Sequence, residues 1–192
     1  RALRMGRAPR IMNVGCGPAQ EVQRFLSESP LASKTSCTLI EFNEETIQYT
    51  RAQLENIKGR HSPGATIEYL KKSVHHILKE SGKTVTSSRE KLYDCVYCAG
   101  LFDYLSDQVC HRLLNIMYEW LAPGGLLVVT NVEPSNPLRN GMDHLLDWHL
   151  IYRTGPHLQK LAPDKARPDD CRIQADVTGV NVFLEVRKPA NA

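Results

Sequence analysis

The chain alternates short apolar runs with longer segments in which apolar residues recur every three or four positions. Apolar runs predict five strands, at 10–14, 37–40, 65–70, 93–98 and 126–132. Helical spacing between them predicts helices at 19–27, 44–58, 74–79 and 107–121. Gly59 is expected to end the second helix, the polar stretch 81–91 to be a loop, and 123–125 to be a turn.

The C-terminal third departs from this alternation. The amphipathic, aromatic stretch 141–152 predicts a helix, and 156–161 predicts another. The segments 171–177 and 180–186 alternate apolar and polar residues around Thr178-Gly179, which is typical of a hairpin. Repeated strand–helix units followed by a hairpin predict an α/β fold. We expect a doubly wound, mostly parallel seven-stranded sheet with a C-terminal antiparallel hairpin.

Length and charge narrow the possible classes of protein. A chain of 192 residues suits one domain, 1–192, and a net charge of +3 argues against a nucleic-acid partner. Arg1, Arg4, Arg7 and Arg10 recur every third residue, and we interpret them as a solvated helix face rather than a basic arm. We expect no membrane span, because no apolar run approaches ~20 residues. With no secretory pattern, a cytoplasmic location is the default.

The six cysteines do not predict a metal site. Cys95 and Cys98 form a single C-x-x-C without a second pair or histidines at ligand spacing. Residues three apart on a strand point to opposite faces, so one ion would not easily take both. We therefore expect small buried hydrophobic side chains, reduced thiols and no metal.

A glycine-containing loop, residues 13–19, follows the first predicted strand. Gly15 and Gly17 allow a tight turn and a close approach of the backbone to a ligand at the carboxyl end of a strand. A dinucleotide fingerprint needs Gly or Ala where the chain has Gln20, and Pro18 removes a backbone N–H that a pyrophosphate would use. The loop therefore disfavours a nicotinamide dinucleotide.

An acidic residue, Glu41, ends the second predicted strand. A carboxylate in this position accepts hydrogen bonds from the hydroxyls of a ribose. A surface glutamate at a strand end is the alternative, and the glycine loop favours the ribose role. Phe42 and Asn43 lie beside Glu41 and are expected to line the adenine side.

Taken together, these residues resemble the class I S-adenosylmethionine-dependent methyltransferases. The likeness lies in four stretches in the same order, at 14–17, 39–41, 93–101 and 121–127, and covers the chain from Arg10 to about Lys188. It implies a Rossmann-like methyltransferase fold with S-adenosylmethionine as cofactor. The implied contacts are Gly15, Cys16, Gly17, Pro18, Glu41, Phe42, Asn43, Ser73, Val74, Ala99, Gly100 and Leu101.

The chain departs from the family pattern twice. Ala19 stands where the family loop usually has a third glycine. Lys71-Lys72-Ser73-Val74 stands where the family often has an acid after the third strand, so adenine recognition is assigned to Ser73 and backbone groups.

The segment after the fifth predicted strand is the expected acceptor side. The predicted acceptor contacts are Tyr104, Asn131, Arg139, His144, Trp148, His149 and Tyr152. His144 and Trp148 are four residues apart on the predicted helix and would share a face. A structural histidine and ordinary packing of a lid helix are the alternatives for this aromatic set.

The stretches 99–107, 130–137 and 148–152 resemble a bacterial subgroup linked to 3-hydroxy fatty acid methyl esters and sometimes fused to cyclic-nucleotide-binding domains. This implies carboxyl O-methylation of a small-molecule acceptor, with Arg139 or His144 holding the carboxylate. It also implies an N-terminal fused domain, with this chain as the C-terminal part of a longer protein.

Other functions stay open at this point. An S-adenosylmethionine-binding regulatory module without turnover would keep the same glycine loop and Glu41. A nucleic-acid methyltransferase is disfavoured because Cys98-Ala99-Gly100-Leu101 replaces a base-flipping signature. Asp103 either contacts substrate or caps the next helix. No catalytic residue is assigned, because a carboxylate is already ionised at neutral pH and needs no base.

Overall fold

The computed structural model describes residues 2–3, 6–81 and 92–190. The strands among them are β1 Arg10–Val14, β2 Ser36–Glu41, β3 Thr66–Lys71, β4 Tyr93–Cys98, β5 Leu121–Val132, β6 Cys171–Ala175 and β7 Asn181–Arg187. The α-helices are α1 Gln20–Glu28, α2 Glu44–His61, α3 Val74–Ser81, α4 Asp107–Glu119, α5 Arg139–Leu145 and α6 Gly155–Gln159.

The strands form one seven-stranded sheet in the order β3-β2-β1-β4-β5-β7-β6. β1 pairs with β2, and β2 with β3, in parallel. β7 runs antiparallel to both β5 and β6. This arrangement confirms the predicted α/β fold with a mostly parallel sheet and a C-terminal antiparallel hairpin.

The chain divides into two compact units, of which the first is Arg1–Cys95. Five of the six residues of β2 are buried, as expected for a parallel strand that is covered on both faces. Leu26 of α1, Leu39 of β2 and Leu54 of α2 lie in one apolar cluster, and each is at most 2% exposed. This packing fixes the carboxyl ends of β1 and β2, where the glycine loop and Glu41 lie.

The second unit, Val96–Ala192, is built around α4 and the antiparallel strands. α4 buries one face through Leu113, Leu114 and Met117, which have no exposed surface. Leu127 of β5 and Leu184 of β7 are also fully buried. The alternating burial along β7 is the period of two that the sequence showed.

Several predicted boundaries are wrong. Gly59 lies inside α2, which continues to His61, and the predicted turn at 123–125 lies inside β5. Gly124 has a φ of 75° and donates its N–H to the carbonyl of Lys188, so the strand bends there without ending. Ser81 ends α3, and the rest of the predicted loop, residues 82–91, lies outside the described residues, as do Arg1 and Arg4.

The predicted helix at 141–152 is the largest error. α5 covers only Arg139–Leu145, because the Leu146 N–H turns back to the carbonyl of Gly141 and Asp147 adopts a positive φ of 49°. Trp148 therefore lies outside the helix, and the expected shared face with His144 does not exist. The predicted hairpin is confirmed, although residues 176–180 connect its strands rather than a two-residue turn.

Candidate functional site

The loop after β1 is held in shape by glycines and by the end of β2. Gly15 and Gly17 have φ values of 70° and 50°, which side chains rarely tolerate. The N–H groups of Gly15 and Cys16 both donate to the carbonyl of Ile40, at 2.8 and 3.1 Å. A Cβ on Gly17 would meet nothing within 4 Å, so the space in front of this residue is open to a ligand.

Ala19 completes the turn into α1 in an unusual conformation. Its φ of 50° and ψ of 47° are left-handed, although it is not a glycine. Its N–H donates to the carbonyl of Cys16 at 2.9 Å, and its own carbonyl accepts from Gln23 at 3.0 Å. The residue that replaces the family's third glycine therefore keeps a backbone that glycine would adopt without strain.

Glu41 is joined to the glycine loop by its carboxylate. Oε2 accepts the N–H of Gly17 at 3.1 Å, while Oε1 accepts the N–H groups of Phe42 and Asn43 at 2.9 and 3.1 Å. The residue is only 8% exposed. Three backbone donors thus fix the orientation of the carboxylate, and Oε2 retains capacity for a further hydrogen bond.

The neighbouring predicted contacts begin the next helices. The Asn43 side chain accepts the N–H of Thr46 at 3.0 Å and caps α2. Ser73 Oγ accepts the N–H of His76 at 3.2 Å at the start of α3. Phe42 is 65% exposed, so its ring is free to contact a ligand. The cofactor roles of Asn43, Ser73 and Val74 stay predictions.

The Asn13 side chain and the Cys16 thiol lie at the same end of the first unit. Asn13 Nδ2 donates to Glu21 at 2.9 Å, but Asn13 Oδ1 is buried without a hydrogen-bond partner among the described residues. Burial raises the pKa of Cys16 to about 12, so its thiol stays neutral and is not a nucleophile. An unpaired acceptor, a fixed carboxylate and an exposed aromatic ring fit a ligand that carries an amine, a ribose and an adenine.

In the second unit, the loop after β4 carries three predicted contacts, Ala99, Gly100 and Leu101. Gly100 has a φ of 80°, and its N–H donates to Thr130 Oγ1 of β5 at 3.1 Å. A Cβ on Gly100 would also meet nothing within 4 Å. At Gly100 the loop therefore presents backbone atoms to open space.

Arg153 is a buried residue behind the predicted acceptor contacts, and the sequence prediction did not include it. It has no exposed surface. Its guanidinium donates to the carbonyls of Phe102 and Leu105 at 2.8 and 2.6 Å. It also donates to Asp107 Oδ1 at 2.8 Å and to Asn131 Oδ1 at 2.7 Å. Nothing in a lone arginine after an aromatic stretch signals this role, because arginine is ordinarily exposed.

This network corrects two predictions. Asn131 has no exposed surface, and its amide donates to the carbonyl of Ile151 at 2.8 Å, so it is a buried link rather than part of an acceptor surface. Asp103 does not cap α4, where Ser106 is the N-cap residue. The Asp103 carboxylate instead accepts the N–H of Val132 at 2.7 Å, and its burial raises the pKa of that carboxyl.

Tyr104 and Trp148 meet on the surface of the second unit. Trp148 Nε1 donates to the Tyr104 hydroxyl at 2.7 Å. Trp148 is 46% exposed and Tyr104 is 53% exposed. Two predicted acceptor contacts are therefore brought together.

Two of the remaining predicted acceptor contacts, Arg139 and Tyr152, form a second group around Asp143. Tyr152 donates its hydroxyl to Asp143 at 3.2 Å, and Arg139 Nε lies 3.5 Å from the same carboxylate. The Arg139 guanidinium also stacks over the Tyr152 ring at 4.4 Å. His149 lies closer to Asp147, with Nε2 2.9 Å from Oδ1, than to Asp143, which is 3.8 Å from its Nδ1. The His144 side chain is exposed and makes no hydrogen bond in the described part of the chain.

Over residues 2–3, 6–81 and 92–190, no group of three or more metal-ligating side chains comes together. Within the same ranges, no helix has the length and apolar character that crossing a membrane requires. Cys95 and Cys98 are free thiols.

Comparison with known proteins places this geometry in a family. The profile of the family described as methyltransferase domain matches residues 11–125, more than half of the chain. No curated protein sequence matches the chain.

Solved structures share the fold at low sequence identity. A "possible exported protein" from Bordetella parapertussis has a TM-score of 0.66 at 20% identity, over 99% of this chain and 65% of that one. An O-methyltransferase family protein from Burkholderia thailandensis has a TM-score of 0.66 at 12% identity, over 97% and 53%. The N-methyltransferase NodS from Bradyrhizobium japonicum, with S-adenosyl-L-homocysteine bound, has a TM-score of 0.59 at 17% identity, over 98% and 82%.

The chain thus spans about two thirds and about half the length of the first two neighbours. The residues that the family profile matches include the glycine loop, Glu41 and the loop after β4. The chain belongs to the methyltransferase domain family.

Proposed function

We propose that the protein transfers a methyl group from S-adenosylmethionine to a carboxylate oxygen of a small apolar acid, with 3-hydroxy fatty acids as the leading class. The observation that carries the cofactor assignment is the Glu41 carboxylate, which three backbone N–H groups hold at the end of β2 beside the open space at Gly17. A fixed carboxylate in that position suits a ribose diol.

The residues of the first unit would bind and orient the cofactor. Glu41 would accept a hydrogen bond from a ribose hydroxyl, Phe42 would cover the adenine, and Asn13 Oδ1 would accept a hydrogen bond from the amino group. The glycine loop would approach the ligand through its backbone. When bound, S-adenosylmethionine supplies an electrophilic methyl group on a sulfonium sulfur.

The second unit would supply the acceptor contacts. A carboxylate is ionised at neutral pH, so the transfer releases no proton and the protein need only position the acceptor and exclude water. Within the second unit, the Asp103 carboxyl is buried and bonded to the Val132 N–H, which agrees with a transfer that needs no general base. Fold neighbours include both an O- and an N-methyltransferase, so the fold itself does not select the acceptor.

Calorimetric titration with S-adenosylmethionine tests the cofactor assignment, with NADH as the control ligand. We expect saturable binding of one S-adenosylmethionine per chain, lost in Glu41→Ala. Binding of NADH alone would contradict the proposal and favour an oxidoreductase.

Turnover is tested separately with a panel of 3-hydroxy fatty acids and transfer of a labelled methyl group. Label in an ester that base hydrolyses supports carboxyl methylation. Cofactor binding without transfer to any acceptor in the panel would favour the regulatory module instead.

A further inference from the structure

The hydrogen bond between Trp148 and Tyr104 has a defined direction. The indole N–H is a donor only, so the Tyr104 oxygen must be the acceptor of the 2.7 Å bond. The hydroxyl hydrogen of Tyr104 is therefore free to donate elsewhere. In the described part of the chain the Tyr104 hydroxyl makes no other hydrogen bond, and the side chain is 53% exposed.

The backbone that carries Tyr104 is braced from inside the second unit. Arg153 donates to the carbonyls of Phe102 and Leu105, which lie on either side of Tyr104. The Asp103 carbonyl accepts the N–H of Ile151 at 2.7 Å, which ties the same turn to the segment that follows Trp148. Buried Arg153 and Asp103 thus fix the turn at residues 102–105. Within this turn, Tyr104 carries the one exposed polar side chain.

The Tyr104 hydroxyl accepts a hydrogen bond from Trp148 and can donate its own hydrogen to a ligand. Such a polarised donor favours a ligand with an anionic oxygen. Hydrogen bonds in a chain strengthen one another, and bonds to an ionised oxygen are about twice as strong as neutral ones. An alkylammonium group offers only hydrogens and would gain nothing from the spare hydrogen of Tyr104.

We propose that the Tyr104 hydroxyl, oriented by Trp148, binds one carboxylate oxygen of the acceptor and makes the site selective for oxygen anions over amines. The proposal deepens the proposed function and rests on it. The second carboxylate oxygen stays free to be the nucleophile, so the hydrogen bond positions the acceptor without blocking it.

The test compares two probes with the same apolar chain and opposite head groups, octanoate and octylamine. Calorimetry on the protein saturated with S-adenosyl-L-homocysteine gives the Kd of each. We expect octanoate to bind at least about tenfold more tightly than octylamine, and Tyr104→Phe to weaken octanoate about tenfold with octylamine changed less than about twofold.

Two further variants separate the polar role from packing. Trp148→Phe keeps an aromatic ring but loses the donor, and we expect it to weaken octanoate by a smaller factor, about threefold. Tyr49→Phe is the matched control, because Tyr49 is 57% exposed on α2 and should leave both affinities unchanged.

Fluorescence supplies a readout that does not depend on turnover. The chain has two tryptophans, so Trp120→Phe leaves Trp148 as the only indole. Octanoate should change the Trp148 emission in this variant, and the added Tyr104→Phe change should remove most of that response.

The proposal is overturned if octanoate does not bind, if octanoate and octylamine bind equally, or if Tyr104→Phe weakens both probes to the same extent. Each of these results leaves cofactor binding through Glu41 intact, since that is measured without an acceptor. Loss of S-adenosylmethionine binding in the unmodified protein would instead contradict the proposed function.

Discussion

Arg153 makes four donor hydrogen bonds, to the Asp107 carboxylate, the Asn131 amide and the carbonyls of Phe102 and Leu105, and a second guanidinium nitrogen lies 2.8 Å from Asp107 Oδ1. We expect Arg153→Met to lower the free energy of unfolding by about 3–5 kcal/mol, because it strands buried acceptors and removes one of the two partners of Asp107, the other being His157. Urea denaturation measures the change. Arg112→Met on the exposed face of α4 is the control and should cost less than about 0.5 kcal/mol. Equal effects of the two changes would contradict a structural role for the buried network.

The buried Asp103 carboxyl should make the free energy of unfolding depend on pH. Burial raises the pKa of this carboxyl above its ordinary value, so the folded protein binds the proton more tightly than the unfolded chain. Stability that depends on Asp103 is therefore greatest at low pH and falls as pH rises above about 4. Asp103→Asn keeps an oxygen for the Val132 N–H and removes the charge. We expect the variant's stability relative to the unmodified protein to rise between pH 4 and 7.

Urea denaturation at several pH values checks this sign. A stability difference that is constant with pH, or that falls as pH rises, would mean that Arg153 compensates the Asp103 charge fully. Glu45→Gln, an exposed change in the first turn of α2, should show no comparable trend.

The residue-scale prediction from sequence succeeded where chemistry is local and failed where it is not. Gly15 and Gly17 were expected to allow a tight loop, and their positive φ values confirm it. The roles of Asn131 and Arg153 depend on the hydrogen bond between them. The two residues are 22 positions apart along the chain, and no rule of sequence spacing links them.

Helices and strands were predicted well where an apolar pattern coincided with burial. β1 and β4 begin and end as predicted, at Arg10–Val14 and Tyr93–Cys98. The pattern after β5 misled because its apolar residues are exposed, Leu145 at 85% and Leu146 at 67%. With no partner surface to bury them, periodicity alone does not extend α5.

The connection between β6 and β7 depends on one carboxylate. Asp176 accepts the N–H groups of Thr178 and Val180, both at 3.1 Å, and the Asn181 side chain at 3.1 Å. The Asn181 side chain and the Thr178 hydroxyl, which donates to Oδ1 at 2.8 Å, are the main causes that lower the pKa of Asp176 to about 2. The order they give the turn is fully present above about pH 4 and is lost as pH falls through 2.

Nuclear magnetic resonance checks this prediction directly. The amide shifts of Thr178 and Val180 should titrate with a midpoint near 2, and Asp176→Asn should remove the titration from both. Midpoints near the ordinary aspartate value of about 4 would show that the carboxylate is not held by the turn in solution.

At the scale of the whole molecule, the order of elements determines the fold more firmly than any single motif. Alternating strands and helices followed by a hairpin restrict the sheet to a few topologies, and the observed strand order is one of them. The acceptor does not follow from the fold in the same way, because it depends on side chains of the segment after β5, where the sequence prediction was weakest.

Cofactor binding should stabilise the whole chain, by an amount that rises with the logarithm of the cofactor concentration relative to its Kd. A ligand that binds only the folded state at 100 times its Kd adds about 2.7 kcal/mol, which for a chain of this size raises Tm by roughly 5–10 °C. We expect S-adenosylmethionine to produce this shift in the unmodified protein and in Glu45→Gln. Glu41→Gln should keep most of the fold, because its amide oxygen still accepts the N–H groups of Phe42 and Asn43. It should lose most of the shift, because it loses the charge that the ribose hydroxyls favour and an amide NH2 group replaces the acceptor oxygen that faces Gly17. A full Tm shift in Glu41→Gln would mean that the cofactor is held without the carboxylate at the end of β2. No Tm shift in the unmodified protein or in either variant would mean that this chain by itself does not bind the cofactor.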